Sequence, residues 1–403
     1  MRLQQLGVSI LLASWLALGF AQSPPTLGEA LEAAWRRTAQ SAAVAGQARR
    51  ALAERPAAAA LWAAPPSVEV GVRRDRQGAV GTSRETEVGV AVPLWLPGQR
   101  GARLGLADAE VDAASAHAAA ARLRLAGSVR AAAAEVALQR AEVLAAESQS
   151  RELDTLAKDV ARRVAAGDLA RADALQANAE RLAALTTLAR ARQALHAAQL
   201  RWQALTGLQD IPEPEPGMAA SPAASPALAA HPILRAAALD LAVARERLGV
   251  VKASRREAPE FVIRARQDVA SSAPNTTGLG FALRIPFGTA SRNEPLMAAA
   301  LSEVELAEAT EGELQQQVEA EWAAARHAEE TARHQLGDES ARATLLRERA
   351  GLIEKSFRAG ETALPEMLRA VTAAAQAEAA VSRARATLAQ AASRLAQALG
   401  VMP

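Results

Sequence analysis

Asp173 and Glu366 occupy matching positions: each stands six residues after a glycine, Gly167 or Gly360, inside long runs rich in Ala, Leu, Arg and Glu. A carboxylate so placed is a solvated helix charge held by the positive end of the helix dipole. Arg369 follows Glu366 by one helical turn, where it can neutralise that acid. The remaining candidates for chemistry are sparse. His117, His196, His231, His327 and His334 show no metal-ligand spacing; His327 and His334 are seven apart, as surface residues of one helical face are. The chain has no cysteine, which excludes disulfides, thiolate metal sites and a lipidated N-terminal Cys. No nucleophile–base pair, phosphate-binding loop or paired-carboxylate motif is present. The sequence therefore predicts no enzyme and no cofactor.

The two glycines are 193 residues apart, and the same offset pairs much else. Pro66 matches Pro259, Pro93 matches Pro286, and Glu110-Val111 matches Glu303-Val304. Arg190, Arg192, Leu195, Arg201 and Gly207 match Arg383, Arg385, Leu388, Arg394 and Gly400. Prolines and glycines in ungapped register argue for a tandem duplication. The predicted organisation is a first repeat over 22–210, a linker over 211–226 whose prolines cannot continue a helix, and a second repeat over 227–403.

Each repeat reads as one helical segment (26–60, then 226–257), a pair of strands, a long helical run, the glycine, and a shorter helical run. The strands are expected at 66–74 and 84–93, then at 260–269 and 278–287. Val68, Val70 and Val72 alternate onto one face, as do Val88, Val90 and Val92. Phe261, Ile263 and Ala265 do the same, as do Leu279, Phe281, Leu283 and Ile285. The other face carries Glu69, Arg73, Glu85, Glu87, Arg264, Arg266, Asp268 and Arg284. Period-two alternation with one apolar face predicts strands. Two hairpins in so helical a chain make no independent sheet, so they require a partner.

Leu188, Leu195 and Trp202 are seven apart, as are Val381, Leu388 and Leu395, which suits left-handed coiled-coil packing. Only 3% of residues are aromatic, and alanine dominates the apolar half, favouring closely packed helices over a thick core. A helix from Arg100 to Ala165 spans roughly 100 Å, and the returning runs 169–206 and 226–257 about 57 Å and 48 Å. The chain thus descends and climbs back to the level of its first hairpin as the second begins. Gly167 and Gly360 then mark the far turns of two antiparallel helical hairpins, where a positive φ favours glycine.

Net charge is +2, from 46 basic and 44 acidic residues that are interspersed, with no basic patch of the kind that binds nucleic acid. Arg2, the apolar run from Leu6 to Phe20 and the small residues Gly19 and Ala21 predict a secretory signal peptide over 1–21. No later segment is apolar for long enough to span a membrane as a helix.

These features closely resemble the TolC family of outer-membrane efflux channels. The resemblance covers essentially the whole mature chain. It rests on the duplicated helix–hairpin–helix unit, on VGVAVPLWLPGQRGAR and FALRIPFGTASRN leading from strand into helix, and on RVAAGDLARAD and FRAGETALPE at the tips. It implies a mainly α protein with a small β part. Long coiled-coil helices would form a periplasmic α-barrel, and four strands per protomer a twelve-stranded barrel in a homotrimer. A closed barrel leaves no strand edge in lipid. The polar strand face would line the pore and the apolar face would meet outer-membrane lipid.

By the same resemblance, Ala166, Gly167, Asp168 and Leu169, with Ala359, Gly360, Glu361 and Thr362, form tips that dock a periplasmic adaptor. Asp173 and Glu366, with Arg369 beside the latter, are periplasmic gate candidates; three copies would make an acidic ring that favours cations. The implied partner beyond the adaptor is an inner-membrane pump of RND type. PLWLPGQRGAR is similar to members serving heavy-metal efflux, which suggests heavy-metal cations or small toxic compounds as cargo. The chain departs from the usual barrel in having no tyrosine for an aromatic girdle; Trp95, Phe261, Phe281 and Phe287 are the available substitutes. Two alternatives remain: an exit duct for type I protein secretion, which shares the fold, and a soluble periplasmic coiled-coil scaffold, which has no use for two lipid-compatible hairpins.

Overall fold

The computed structural model describes residues 25–77, 81–212, 230–271 and 273–403. The signal peptide at 1–21 and nearly all of the linker at 211–226 lie outside the described residues. Among the described residues, seven helices and four strands follow in the order α1 (Leu27–Arg37), α2 (Ala39–Ala58), β1 (Ser67–Gln77), β2 (Gly81–Pro93), α3 (Gln99–Ala166), α4 (Arg171–Thr206), α5 (Pro232–Ala253), β3 (Glu260–Ala270), β4 (Ala273–Arg284), α6 (Ala290–Arg358) and α7 (Leu364–Ala398).

The first helical segment is two helices, not one. Thr38 leaves the helical region (φ −83°, ψ 139°) and its hydroxyl accepts the Ser41 N–H, so it ends α1 and caps α2. α1 begins with a capping box: Thr26 N–H donates to the Glu29 carboxylate (2.8 Å) and Glu29 N–H to the Thr26 hydroxyl (3.2 Å). The break lets α1 lay Leu27, Ala30, Leu31 and Ala34 into a core of its own with Val129 and Val136 of α3 and Trp202 of α4.

The strands form one antiparallel sheet in the order β1-β2-β3-β4. They run further towards their turns than the apolar alternation predicts. Pairing continues through Arg73↔Glu85, Arg74↔Arg84 and Asp75↔Ser83, where both faces have become polar. Hydrophobicity marks where the strands are apolar, and backbone pairing decides where they end. β4 conversely stops at Arg284, short of residue 287.

The helices lie side by side in one layer, and cross-helix polar contacts mark which are neighbours. α4 follows the tip-proximal half of α3, with Arg192 2.8 Å from Glu147. α5 follows the sheet-proximal half, with His117 Nε2 2.8 Å from Asp240 and Gln99 donating to Ser254 Oγ (3.0 Å). α5 also meets α6 through Arg245 and Glu308 (2.9 Å). α7 lies between α3 and α6: Arg383 pairs with Glu142 of α3, and Arg347 of α6 donates to Glu378 (2.6 Å). The lower layer therefore reads α4–α3–α7–α6. The chain climbs back in two pieces, as the helix lengths require.

Candidate functional site

Both helical hairpins turn on the same device. Gly167 and Gly360 have φ of 89° and 82°, and a Cβ at either would meet open space. The glycine is thus required by backbone conformation and not by crowding. At the first tip Gly167 N–H donates to Val164 O (3.1 Å) and Asp168 N–H to Arg163 O (2.9 Å). At the second, Gly360 N–H donates to Phe357 O (3.1 Å) and Glu361 N–H to Ser356 O (3.0 Å). Each is a Schellman motif that satisfies the last helical carbonyls. The second tip adds a hydroxyl–hydroxyl bond, Ser356 to Thr362, at 2.6 Å.

Ala166, Gly167 and Asp168 are exposed, as are Ala359, Gly360 and Glu361; Leu169 and Thr362 are half-buried. The two tips share one apolar core. Leu153 and Val160 of α3, Ala177 of α4, Phe357 of α6 and Leu364, Met367 and Leu368 of α7 pack together, with Leu169 against them. Arg163 of α3 lies over the Phe357 ring, 4.9 Å from its centre. The two tips therefore pack as one end of the layer.

The gate candidates sit in the first turns of α4 and α7 but differ in partnering. The Asp173 carboxylate accepts the Ala170 N–H (3.1 Å), closing the N-terminus of α4. The Glu366 side chain is exposed and takes no hydrogen bond or ion pair among the described residues. Arg369 is exposed too and forms no contact ion pair with Glu366. No bond links Asp173 to Glu366 among the described residues.

Beside the tips, α3, α6 and α7 enclose an open groove of about 860 Å³. Its floor includes Leu156, Phe357, Met367 and Val371; its walls include Arg151, Glu152, Arg347 and Glu378. Partial burial, with the charge of Glu378 adding to it, raises the Glu152 carboxyl above its ordinary value. Sequence reasoning missed this groove. Its residues come from α3 and, some 200 positions further on, from α6 and α7, and no local pattern marks them.

At the other end of the layer the sheet is two-faced. On the polar face Arg264 lies 3.4 Å from Glu87, and Arg266 lies 3.0 Å from Glu85. On the apolar face Val68, Val70, Val72, Leu279, Phe281 and Leu283 are exposed. Phe261 and Phe281 stack across strands with centres 6.2 Å apart. Trp95 is tied locally, its indole N–H donating to Ala60 O (3.0 Å), and Phe287 is exposed. Leu61 and Trp62, unmarked by any alternation, are exposed just before β1. No described helix is long and apolar enough to cross a membrane.

No family model and no curated protein matches the chain. Solved structures do. The outer membrane protein VceC of Vibrio cholerae superposes with a TM-score of 0.74 at 16% identity, covering 93% of this chain and 96% of its own. The CmeC outer membrane channel of Campylobacter jejuni gives 0.74 at 13% identity, covering 99% and 93%. The open state of the MtrE outer membrane channel of Neisseria gonorrhoeae gives 0.69 at 18%, covering 94% and 90%. At these identities the likeness is one of fold: the chain has the TolC-like fold, mainly helical with a four-stranded antiparallel sheet.

Proposed function

We propose that the chain is a member of the TolC family and one third of a passive exit duct through the outer membrane. The observation that carries this reading is the layer's open edges. β1 and α4 lie at one edge, β4 and α6 at the other, and both edges expose apolar side chains. Leu175 and Leu182 of α4 are 64% and 51% exposed; Leu352 and Leu345 of α6 are 60% and 67% exposed. Leu175 and Leu352 each stand 8 residues from their own tip glycine, and Leu182 and Leu345 each 15. The two leucine pairs therefore lie at equal heights on opposite edges. A head-to-tail ring of identical protomers brings them together and closes the sheet as well. Three protomers give twelve strands, with the charged face inward and the valines towards lipid.

The signal peptide at 1–21 and the two repeats, 22–210 and 227–403, belong to this reading. Ala166–Leu169 and Ala359–Thr362, with the neighbouring groove, receive the helical hairpins of a periplasmic adaptor. An RND-type inner-membrane pump supplies energy and substrate choice. Asp173 and Glu366 stand at the periplasmic entrance, where three copies of each attract cations. The cargo is small: heavy-metal cations or small toxic compounds.

The absence of native cysteine makes the test clean. With Leu175→Cys and Leu352→Cys in one chain, a disulfide needs Cα atoms within about 7 Å. Within a protomer α3 and α7 separate these helices. Oxidation of the outer-membrane fraction should therefore give covalent trimers. Monomer alone, or a soluble periplasmic species, overturns the duct and leaves the scaffold reading. For the gate, Asp173→Ala with Glu366→Ala should change conductance or cation preference in planar bilayers; unchanged values leave both acids as helix-end charges.

A further inference from the structure

The two faces of the sheet hold their arginines differently. On the polar face every arginine has a carboxylate: Arg73 is 3.1 Å from Asp75, Arg264 3.4 Å from Glu87, Arg266 3.0 Å from Glu85, and Arg284 3.6 Å from Glu260. On the apolar face the stripe Val68, Val70, Val72 runs on into Arg74 and Arg76. The stripe of β2, followed from Val92 to Val88, passes Thr86 and ends at Arg84. Arg74 and Arg84 are direct partners in the ladder. All three are exposed, and among the described residues they make no hydrogen bond or ion pair.

Like charges directly opposite each other destabilise a strand pair. The described positions that share this face supply no acid to relieve them. The residues facing this way are Phe261, Ile263, Ala265, Gln267 and Val269 in β3, and Asn275, Thr277, Leu279, Phe281 and Leu283 in β4. Val72 to Arg74 is a step of about 7 Å beyond the apolar stripe, on the side away from the helices. A guanidinium at the rim of an apolar band buries its stem and extends its head beyond it. Its fork matches two phosphate oxygens.

We propose that Arg74, Arg76 and Arg84 bind the phosphate groups of anionic lipid headgroups, whose charge no choline offsets, in the leaflet remote from the helices, so that anionic phospholipid replaces the missing tyrosine girdle on that side. The proposal rests on the membrane reading above. It adds a ligand chemistry and three residues to it.

The test uses the full-length trimer reconstituted into vesicles of phosphatidylcholine with a minor fraction of phosphatidic acid. Insertion is read first, as protection of the hairpins from external protease. The lipid retained after mild detergent extraction is then weighed by mass spectrometry. The wild-type protein should enrich phosphatidic acid about tenfold, a modest figure for three basic groups at an anionic surface. Arg74→Gln with Arg76→Gln and Arg84→Gln should abolish the enrichment yet still insert. Arg73→Gln, on the other face, should keep it.

Equal enrichment by the triple variant overturns the proposal while leaving the membrane reading intact. Loss of enrichment in wild-type protein when inorganic phosphate is added, with phosphate bound in its place, overturns the lipid as ligand. Failure of the wild-type protein to insert at all overturns both readings, and the protease measurement identifies that case separately.

Discussion

α3 and α6 are near twins in length, 68 and 69 residues, and each ends at a tip glycine. Yet α3 buries 17 residues and α6 only five. α3 lies inside the layer, with helices on both sides; α6 lies at its edge. Their sequences follow their positions. The inward stripe is common to both: Leu153 and Val160 of α3 correspond, 193 residues on, to Leu346 and Ile353 of α6. The flanking position is reversed. Where α3 carries Arg103, Asp108, Glu152 and Asp159, α6 carries the exposed leucines Leu296, Leu301, Leu345 and Leu352. The shorter helices show the same contrast, Leu175 of edge helix α4 being 64% exposed and its counterpart Leu368 of α7 only 4%. An edge helix that places leucine where its interior twin places charge is built to be covered. In the ring proposed above, the cover is another copy of the chain.

The sharpest way to break this comparison is to give α6 the charges of α3. Leu345→Glu with Leu352→Asp should abolish the oligomer altogether, because a buried unpaired carboxylate costs several kcal/mol per site. Helix content should be unchanged, since both positions are solvent-facing in the protomer. Light scattering with circular dichroism checks both at once. A variant that still forms trimers would show that the exposed leucines are not the seam.

Next in size is a leucine truncation on each helix. Leu153→Ala removes a side chain only 3% exposed in the shared tip core and should cost the protomer about 2–5 kcal/mol. Leu345→Ala, in protein held monomeric in detergent, should cost less than about 0.5 kcal/mol. Denaturant titrations of the two variants should differ in midpoint accordingly. Equal losses would mean that α6 is covered within its own protomer.

At their ends the two helices should stop differing. Gly167→Ala and Gly360→Ala each force alanine to φ near +85°, a strain of about 1–2 kcal/mol. Neither adds a steric clash, as both sites are open. The two variants should therefore lower thermal stability by similar amounts.

Much of this was legible in the sequence because it depends on local backbone rules. Gly167 and Gly360 announced the turns, the alternating valines announced the strands, and the run lengths announced the climb back along α3. The break at Thr38 was hidden because Thr, Ala, Gln and Ser are all tolerated in a helix, and only the burial of Leu27 and Leu31 demands the bend. The strand ends were hidden because residues 74–77 and 82–84 are polar on both faces. The groove was hidden because Arg151, Phe357 and Glu378 meet only after three helices have packed. The leucines of α6 were visible as residues but not as a seam, since exposure is a tertiary property. The repeat counterparts of Leu296, Leu301, Leu345 and Leu352, all charged, were the signal that could have exposed it.

The finest prediction concerns Glu152, the acid that α3 carries where α6 carries Leu345. Burial and the nearby charge of Glu378 raise its folded pKa above the ordinary 4.5. Between 4.5 and that raised value the folded chain binds more protons than the unfolded one, so this group's contribution to stability is present at low pH and is lost as pH rises through the folded pKa. Glu152→Gln keeps an acceptor for the Ser148 hydroxyl but carries no charge. The variant should be more stable than wild-type at neutral pH and indistinguishable from it below about pH 4.5, where Glu152 is protonated in both states. Arg347, Glu354, Asp159 and Glu378 also face the groove, so only the difference between the two proteins is read, from unfolding midpoints across the pH range. A constant difference would mean that Glu152 is as well solvated as a surface acid, and that α3 and α6 differ at this position only in what they present to their neighbours.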